Sequence, residues 1–174
     1  MSQPSRSRPP SSEHLAYYSR YIDLVPEGDI LDVLGAQMGT TSDMLRAIPE
    51  ARGDFRYAPE KWSVKEVIGH VMDAERIFAY RALRFARADR TPLPGFEQDP
   101  YIGPGAFGRR RLTELAEELQ IVRTASLALF ASLPDEAWPR SGIANGAEMS
   151  VRAVAYAIAG HELHHRSILQ TRYL

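Results

Sequence analysis

Hydrophobic residues recur every three or four positions in four stretches of the chain, the spacing that places them on one face of an α-helix. The predicted helices cover residues 29–48, 63–89, 107–131 and 150–170. Outside them, no run of alternating apolar and polar residues indicates a strand. Because each helix has one apolar stripe to bury, the pattern favours an all-α fold with a single four-helix bundle.

Signals at the helix ends and in the connections refine this prediction. Ser63 and Glu66 have the spacing of a capping box, so the second helix is predicted to begin there. Residues 13–25 are predicted to form a further short helix or an arm that packs on the bundle. Residues 90–106, with four prolines and three glycines, and residues 132–148 are predicted to be long irregular connections.

Composition and charge restrict the class of protein. The 174 residues suffice for one domain, predicted over residues 13–174 after a disordered Pro/Ser-rich leader of residues 1–12. With 21 Lys and Arg against 22 Asp and Glu, the net charge of −1 gives no indication of nucleic-acid binding. No apolar run is long enough to span a membrane and no secretory signal is seen, so a cytoplasmic location is predicted. Bundles of this size often pair through a helix face, so a homodimer is a further expectation.

Three of the five histidines lie in one short sequence, AGHELHHR at 159–166. His161 and His165 are four residues apart, so they lie one turn apart on the inward face of the fourth helix and can share one metal ion. His164 is rotated by about 60° from His161 and is predicted to flank the pair. The alternative is that these are ordinary core or surface histidines bonded to backbone or carboxylate groups.

A third metal ligand is best supplied by His70, at the edge of the apolar face of the second helix. His70 lies seven residues from the start of that helix, and the pair lies five to nine residues from the end of the fourth. These depths coincide if the two helices are antiparallel, which requires a crossover between the second and third helices. The predicted order is therefore up-down-down-up, with 90–106 as the crossover. His14 borders the leader and is predicted to be solvated.

The sequence His-Glu-x-x-His at 161–165 also matches the signature of zinc proteases. Such a protease takes its third ligand downstream, but the nine residues after His165 contain no His, Asp or Glu. A zinc protease is therefore kept as a minor alternative. Glu162 is interpreted as a solvated or interfacial residue rather than a general base.

The two histidine motifs, KWSVKEVIGHVMDAER at 61–76 and GHELHHRSIL at 160–169, resemble those of the DinB/YfiT-like superfamily. The resemblance extends over most of the chain from about residue 29. It implies a four-helix bundle with a divalent metal on three histidines, which here are His70, His161 and His165. Family members are described as metal-dependent hydrolases, some resemble transferases that join a low-molecular-weight thiol to an electrophile, and others have no known activity.

Three neutral imidazoles leave at least one position of a divalent ion open to water or substrate, as in catalytic sites. The ligand set suits zinc, nickel or iron. We therefore expect a metal-dependent enzyme that acts on a small molecule, either a hydrolase or a thiol-dependent transferase, in which the ion lowers the pKa of a bound water or thiol. Since the chain has no cysteine, a thiol would come from a co-substrate. The alternatives are a non-catalytic metal-binding or stress-related interaction protein, and a protein without metal.

Other polar residues near His70 are further candidates for the site. Asp73, one turn after His70, is a candidate base or orienting group, or else pairs with Arg76 at the helix surface. Arg81 and Arg84 continue the same side of the helix. They are predicted to pair with acidic neighbours rather than to receive an anionic group.

Residues of the crossover are candidates for a cover over the site. Phe96 and Tyr101 are placed as a roof, with Glu97 and Asp99 at its rim. The simpler interpretation, which we favour, is ordinary packing of this segment on the bundle. Both interpretations leave the predicted metal ligands unchanged.

Overall fold

Helices make up most of the molecule in the computed structural model, which describes residues 6–174. They are α1 (Ala16–Ile22), α2 (Ile30–Ala47), α3 (Val64–Ala86), α4 (Asp99–Gly105), α5 (Leu112–Ala131) and α6 (Val151–Ile168), followed by a last turn over Leu169–Tyr173. The four predicted helices are confirmed as α2, α3, α5 and α6, which pack against one another. Residues 1–5 of the predicted leader lie outside the described part of the chain. Within that part, every helix is too short or too polar to cross a membrane.

The start of α3 is defined by the predicted capping box. The Ser63 hydroxyl accepts a hydrogen bond from the Glu66 backbone N–H (3.3 Å), and the Glu66 carboxylate accepts one from the Ser63 backbone N–H (2.7 Å). α6 begins in a similar way, with the Ser150 hydroxyl accepting from the Ala153 N–H (3.1 Å). These bonds satisfy donors that have no partner inside the helix. Both helices that carry the predicted ligands therefore begin at a defined residue.

A two-stranded antiparallel hairpin, β1 (Ser141–Ala144) and β2 (Ala147–Ser150), lies directly before α6. The predictions of a purely helical fold and of an irregular segment at 132–148 are wrong in this respect. The turn consists of Asn145 and Gly146, both with positive φ (53° and 73°). Asn-Gly is the pair that a tight hairpin turn prefers, but the four-residue strands beside it are too short to show a clear alternation.

The long connection between α3 and α5 is tied to the hairpin at one end and to α3 at the other. The Leu93 N–H donates to the Ile143 carbonyl (2.9 Å), and the Leu93 carbonyl accepts from the Asn145 N–H (3.0 Å). The connection then forms α4, a helix that its prolines and glycines did not predict. Beyond α4, Phe107 packs on α3 at Gly69, where a Cβ atom would lie 2.5 Å from the ring. The connection therefore runs back along α3.

One buried arginine joins all four long helices. Arg123 of α5 donates two parallel hydrogen bonds to the Glu75 carboxylate of α3 (2.8 and 2.9 Å), one to Glu162 of α6, and one to the Leu34 carbonyl of α2 (3.2 Å). Thr41 of α2 also donates to Glu162. Burial alone would lower the pKa of Arg123, but the charges of the two carboxylates raise it overall. The guanidinium is therefore charged in the core.

α1 and the residues before it pack on the outside of α6. Arg8 donates hydrogen bonds to two backbone carbonyls near the end of α1 (both 2.5 Å), which holds residues 6–12 of the predicted leader against the body. α1 passes so close to α6 that a Cβ atom at Gly160 would lie 2.0 Å from the Tyr21 carbonyl oxygen. The short helix or arm predicted at 13–25 is thus found packed on the bundle.

Replacing Gly160 by Ala is expected to destabilise the protein, because the new methyl group would meet a backbone oxygen that can move only together with α1. Overpacking of this kind costs about 1–3 kcal/mol, which urea denaturation would measure. Gly39→Ala is the matched control, since Gly39 lies within α2 with open space around it. That variant should be neutral or more stable by up to about 1 kcal/mol. Equal effects of both substitutions would contradict the close packing of α1 on α6.

Candidate metal centre

Three imidazole rings converge between α3 and α6. His70 Nε2 lies 3.0 Å from His161 Nε2, which lies 3.1 Å from His165 Nε2. His70 and His161 are only 4% and 7% exposed, and His165 is half-buried. Among residues 6–174, no second group of three or more His, Asp or Glu side chains converges in this way. The structure thus brings together the three histidines that the sequence predicts as ligands.

The convergence follows from how α3 and α6 lie against each other. At one end, the Tyr173 hydroxyl after α6 donates to the carbonyl of Trp62, just before α3 (2.6 Å). At the other end, Arg140 donates to the Ala86 carbonyl at the end of α3 (2.6 Å), and its own carbonyl accepts from the first residue of α6 (2.9 Å). The start of α3 therefore lies beside the end of α6. The two helices are antiparallel, as the matching depths of the histidines require.

The chemistry of the three facing nitrogens suits a divalent ion. A ring nitrogen offers either one lone pair or one hydrogen in the ring plane, so the Nε2 of His161 cannot bond to both neighbouring rings at once. An ion between the rings would accept all three lone pairs. Tetrahedral zinc, with bonds of about 2.0–2.1 Å to nitrogen, separates its ligand nitrogens by about 3.4 Å. The two pairs at 3.0 and 3.1 Å would need to spread slightly to reach that separation, and all three ring nitrogens lie within 4.8 Å of one another.

Burial keeps the three rings neutral. It lowers the pKa of His70 to about 4, against a smaller opposing effect of the negative charge on Asp99. It also lowers the pKa of His165 to about 3, with a further contribution from the charges of His70 and His164. The pKa of His161 is likewise held well below its usual range, first by burial and then by the neighbouring rings. Neutral imidazole is the form that binds a metal, so the site suits an ion at neutral pH.

His70 and His161 form part of the wall of a cavity of about 500 Å³, a size that suits a small molecule. The aromatic part of the lining comes from α1, α3 and the crossover. It consists of Tyr17, Tyr18, Tyr21, Phe78 and Phe96. The polar part consists of Arg81, Glu97, Gln98, Asp99 and Asn145. Since the rings of Tyr21 and Phe78 lie 5.4 and 6.3 Å from the His161 ring, aromatic groups border the histidine cluster directly.

The glutamate of the His-Glu-x-x-His sequence does not face the cluster of three histidines. Glu162 is buried, and its carboxylate is bonded to Arg123 and Thr41. It is therefore interfacial rather than solvated, and it is not placed to act as a base beside an ion. This geometry gives no support to the protease interpretation. His164 flanks the pair against α1, and His14 lies apart from the cluster, before α1.

The polar candidates on α3 have different surroundings. Asp73 pairs with Arg76 (3.6 Å) and does not line the cavity, and partial burial raises its pKa. Arg84 pairs with Asp89, in agreement with the prediction. Arg81 is buried and lines the cavity. Its predicted pairing with an acidic neighbour is wrong, since no carboxylate in the described part of the chain forms an ion pair with it.

The crossover forms part of the cavity wall. Phe96, Glu97 and Asp99 line it, so the segment does more than pack on the bundle. Tyr101 is 43% exposed and contacts Phe96 with a ring distance of 5.7 Å, outside the lining. The proposed roof is therefore supplied by Phe96 without Tyr101.

Several cavity residues were missed by the sequence analysis, and those on α1 and in the hairpin show why. Tyr18 and Tyr21 come from α1, and their spacing of three residues would have placed them on one face of a short helix. Asn145 comes from the hairpin turn, which its Asn-Gly sequence would have indicated. In neither case does local spacing show which part of the bundle the element packs against.

A model of the DinB superfamily matches residues 36–169 of the chain. YfiT from Bacillus subtilis, described as a probable metal-dependent hydrolase with an unusual four-helix bundle topology, superposes with a TM-score of 0.66 at 14% identity, covering 93% of this chain and 89% of that one. The mycothiol-dependent maleylpyruvate isomerase superposes with a TM-score of 0.63 at 18% identity, covering 84% of this chain and 61% of that one. No curated protein matches the sequence. The two structural similarities show the helical-bundle fold.

The stability of the metal-free protein is expected to fall on mild acidification. In the unfolded chain the histidines titrate with a pKa of about 6.5, whereas burial lowers the pKa of His70 to about 4 and that of His165 to about 3 in the folded protein. Below the unfolded pKa the unfolded state therefore binds more protons than the folded state. Each such ring lowers the free energy of unfolding by up to about 1.4 kcal/mol per pH unit as the pH falls toward the folded pKa.

Urea denaturation between about pH 7 and pH 5 would measure this slope where most carboxylates remain ionised. His165→Gln removes one titrating ring and is expected to reduce the slope by the contribution of one proton, roughly 1.4 kcal/mol per pH unit at most. An unchanged slope in this variant would show that the His165 ring is not buried in its neutral form.

Proposed function

The chain belongs to the DinB superfamily, and from this we propose that it is a metal-dependent enzyme that acts on a small molecule. His70, His161 and His165 hold the ion in this proposal. The observation that carries it is the convergence of three Nε2 atoms, two of them on rings that line a cavity of about 500 Å³. An ion with a purely structural role needs no such cavity beside it. We therefore favour an enzyme over a non-catalytic metal-binding or interaction protein.

The proposed reaction is hydrolysis or the transfer of a low-molecular-weight thiol. A divalent ion on three imidazoles has room for a further ligand and lowers the pKa of a water or thiol, which supplies a nucleophile at neutral pH. The similar solved structures support a hydrolase and the use of a thiol, since one is described as a probable metal-dependent hydrolase and the other as a mycothiol-dependent isomerase. Because the chain has no cysteine, the thiol enters as a co-substrate. The imidazole set suits zinc, nickel or iron.

The protein's own side chains shape the site. Tyr18, Tyr21 and Phe78 place aromatic surface next to the histidines. Burial raises the pKa of Tyr21 to about 12, so its hydroxyl stays protonated and accepts a hydrogen bond from Arg20 (2.7 Å). Asp73 acts as a helix-surface partner of an arginine rather than as a base.

The proposal includes the up-down-down-up order of α2, α3, α5 and α6. Contacts of α2 support this order. As the residue number rises along α2, the number of the contacting residue rises along α6 and falls along α5, so α2 is parallel to α6 and antiparallel to α5. The pairs are Gln37 with Ala159 and Thr41 with Glu162 on α6, and Met38 with Thr124 and Arg46 with Gln120 on α5. The cytoplasmic location, the homodimer and the single domain over 13–174 stay predictions.

Protein purified without a histidine tag is expected to contain about one divalent ion per chain, as measured by plasma mass spectrometry. His161→Ala removes the central ring and should weaken metal binding by at least about 100-fold, since even changes next to a ligand cost about 10–100-fold. His164→Ala is the matched control, because this ring lies on the same turn but outside the cluster. Metal retained by His161→Ala, or lost by His164→Ala, would contradict the assignment of ligands.

Chelation of the metal is expected to abolish activity and to leave the protein folded, because the bundle has two large apolar clusters of its own. Turnover would be measured with panels of esters, amides and thiol–electrophile pairs, and folding by circular dichroism. Activity should return with added zinc, nickel or iron. Melting on chelation would identify a structural ion instead. Failure of the loaded protein to turn over any substrate class would count against the enzyme.

A further inference from the structure

Arg81 is a buried cation without a carboxylate partner. It is 4% exposed, and it lines the cavity that His70 and His161 also line. Within residues 6–174, no Asp or Glu forms an ion pair with it. Burying a charge in this way costs free energy, because the group loses its hydration. That loss is offset only by an opposite charge or by several hydrogen bonds.

The other buried cations of the described chain show how the protein meets this cost elsewhere. There are three of them besides Arg81, and each has a carboxylate partner. The pairs are Lys65 with Glu50, Arg123 with Glu75 and Glu162, and Arg152 with Glu13. Arg81 differs from them in lining a cavity of ligand size, so its opposite charge can come from a bound molecule.

Neutral groups hold the Arg81 guanidinium in place. One N–H donates to the Pro94 carbonyl of the crossover (3.1 Å), and the rings of Phe78 and Phe96 each lie 5.7 Å from the Cζ atom. Burial raises the pKa of the nearby Tyr18 phenol, against the opposing effect of the Arg81 charge, so this phenol is neutral and does not compensate the charge. The Pro94 carbonyl and the Tyr18 hydroxyl accept hydrogen bonds from the guanidinium, which has five N–H donors in all.

We propose that Arg81 binds a carboxylate of the substrate. The substrate is then a small organic acid with a single negative charge at the end that contacts Arg81. This inference rests on the proposed function, because in that proposal the other end of the same substrate reacts at the three histidines. The Phe78 ring centroid lies 5.7 Å from Arg81 Cζ and 6.3 Å from the His161 ring centroid, so the guanidinium is within about 12 Å of the His161 ring. A molecule with a short carbon chain can reach both.

A carboxylate fits this position better than a more highly charged group. The planar fork of a guanidinium donates two parallel hydrogen bonds to the two oxygens of a carboxylate. Glu97 and Asp99 line the same cavity and would repel a phosphate that carries two charges, whereas Arg81 balances a single negative charge. The aromatic rings beside Arg81 suit the apolar body of such an acid.

The test compares the binding of two probes, 4-mercaptobutyrate and the neutral 4-mercaptobutyramide, which differ in the charge of one end. NMR titration would measure their affinities for the metal-free and the zinc-loaded protein. For the wild-type protein the carboxylate is expected to bind at least about tenfold more tightly than the amide in both forms, since hydrogen bonds between charged groups are the stronger ones. Arg81→Gln should bring this ratio close to one and leave the affinity for the amide unchanged.

Arg84→Gln is the matched control, because Arg84 lies one turn further along α3, pairs with Asp89 and does not line the cavity. This variant should keep the full preference for the carboxylate. Arg81→Lys keeps the charge without the planar fork and should keep part of the preference. Circular dichroism checks the folding of each variant, and the wild-type comparison of the two probes stands even where a variant does not fold.

Equal affinities of the wild-type protein for the two probes would overturn the carboxylate site, as would a preference that survives in folded Arg81→Gln. Zinc should tighten the binding of both probes through their thiol group. A preference for the carboxylate together with no effect of zinc would support the Arg81 site and count against the proposed metal-dependent function. The two proposals therefore fail separately.

Discussion

The buried charge of Arg123 is the constraint on which the arrangement of the long helices depends. Its guanidinium is bonded to Glu75 on α3, to Glu162 on α6 and to a backbone carbonyl of α2. Removing one partner of a buried ion pair costs about 3–5 kcal/mol, a large part of the 5–15 kcal/mol by which a typical domain is stable. A rotation or one-turn slip of α3 or α6 would break these bonds. The network therefore specifies how the helices face one another.

The position of the histidines follows from this network. Glu162 directly follows His161, and adjacent residues of a helix point about 100° apart. With Glu162 bonded to α5, His161 and His165 are turned toward α3. On α3, Glu75 lies five residues after His70, about 140° around the helix, so the same network turns His70 toward α6. The ion pairs and the candidate metal site thus lie on two sides of one helix pair.

The features predicted from the sequence are those that local spacing determines. The capping box at Ser63 and the pair of His161 and His165 each involve residues within one helical turn, and the convergence of His70 with them required only the matching of depths along two helices. Contacts between distant segments have no such spacing. Arg123 lies 48 and 39 residues from its two carboxylates, and the hairpin and α1 reach the cavity only because the bundle brings them there. The partners of Arg123, and the contribution of α1 and the hairpin to the cavity, could therefore not be predicted from local spacing.

The way in which the buried charges are paired explains how a stable bundle can contain a site whose polar groups are incompletely paired within the protein. Arg123 is compensated within the protein, and the two apolar clusters surround that network. The histidine rings are buried as neutral groups, which costs far less than burying them charged. The folded state can therefore tolerate three facing nitrogens and the unpaired charge of Arg81 without a ligand. If a carboxylate of the protein paired with Arg81, this side chain would attract a charged substrate much less. The free-energy cost of burying Arg81 without such a partner is therefore what makes recognition there possible.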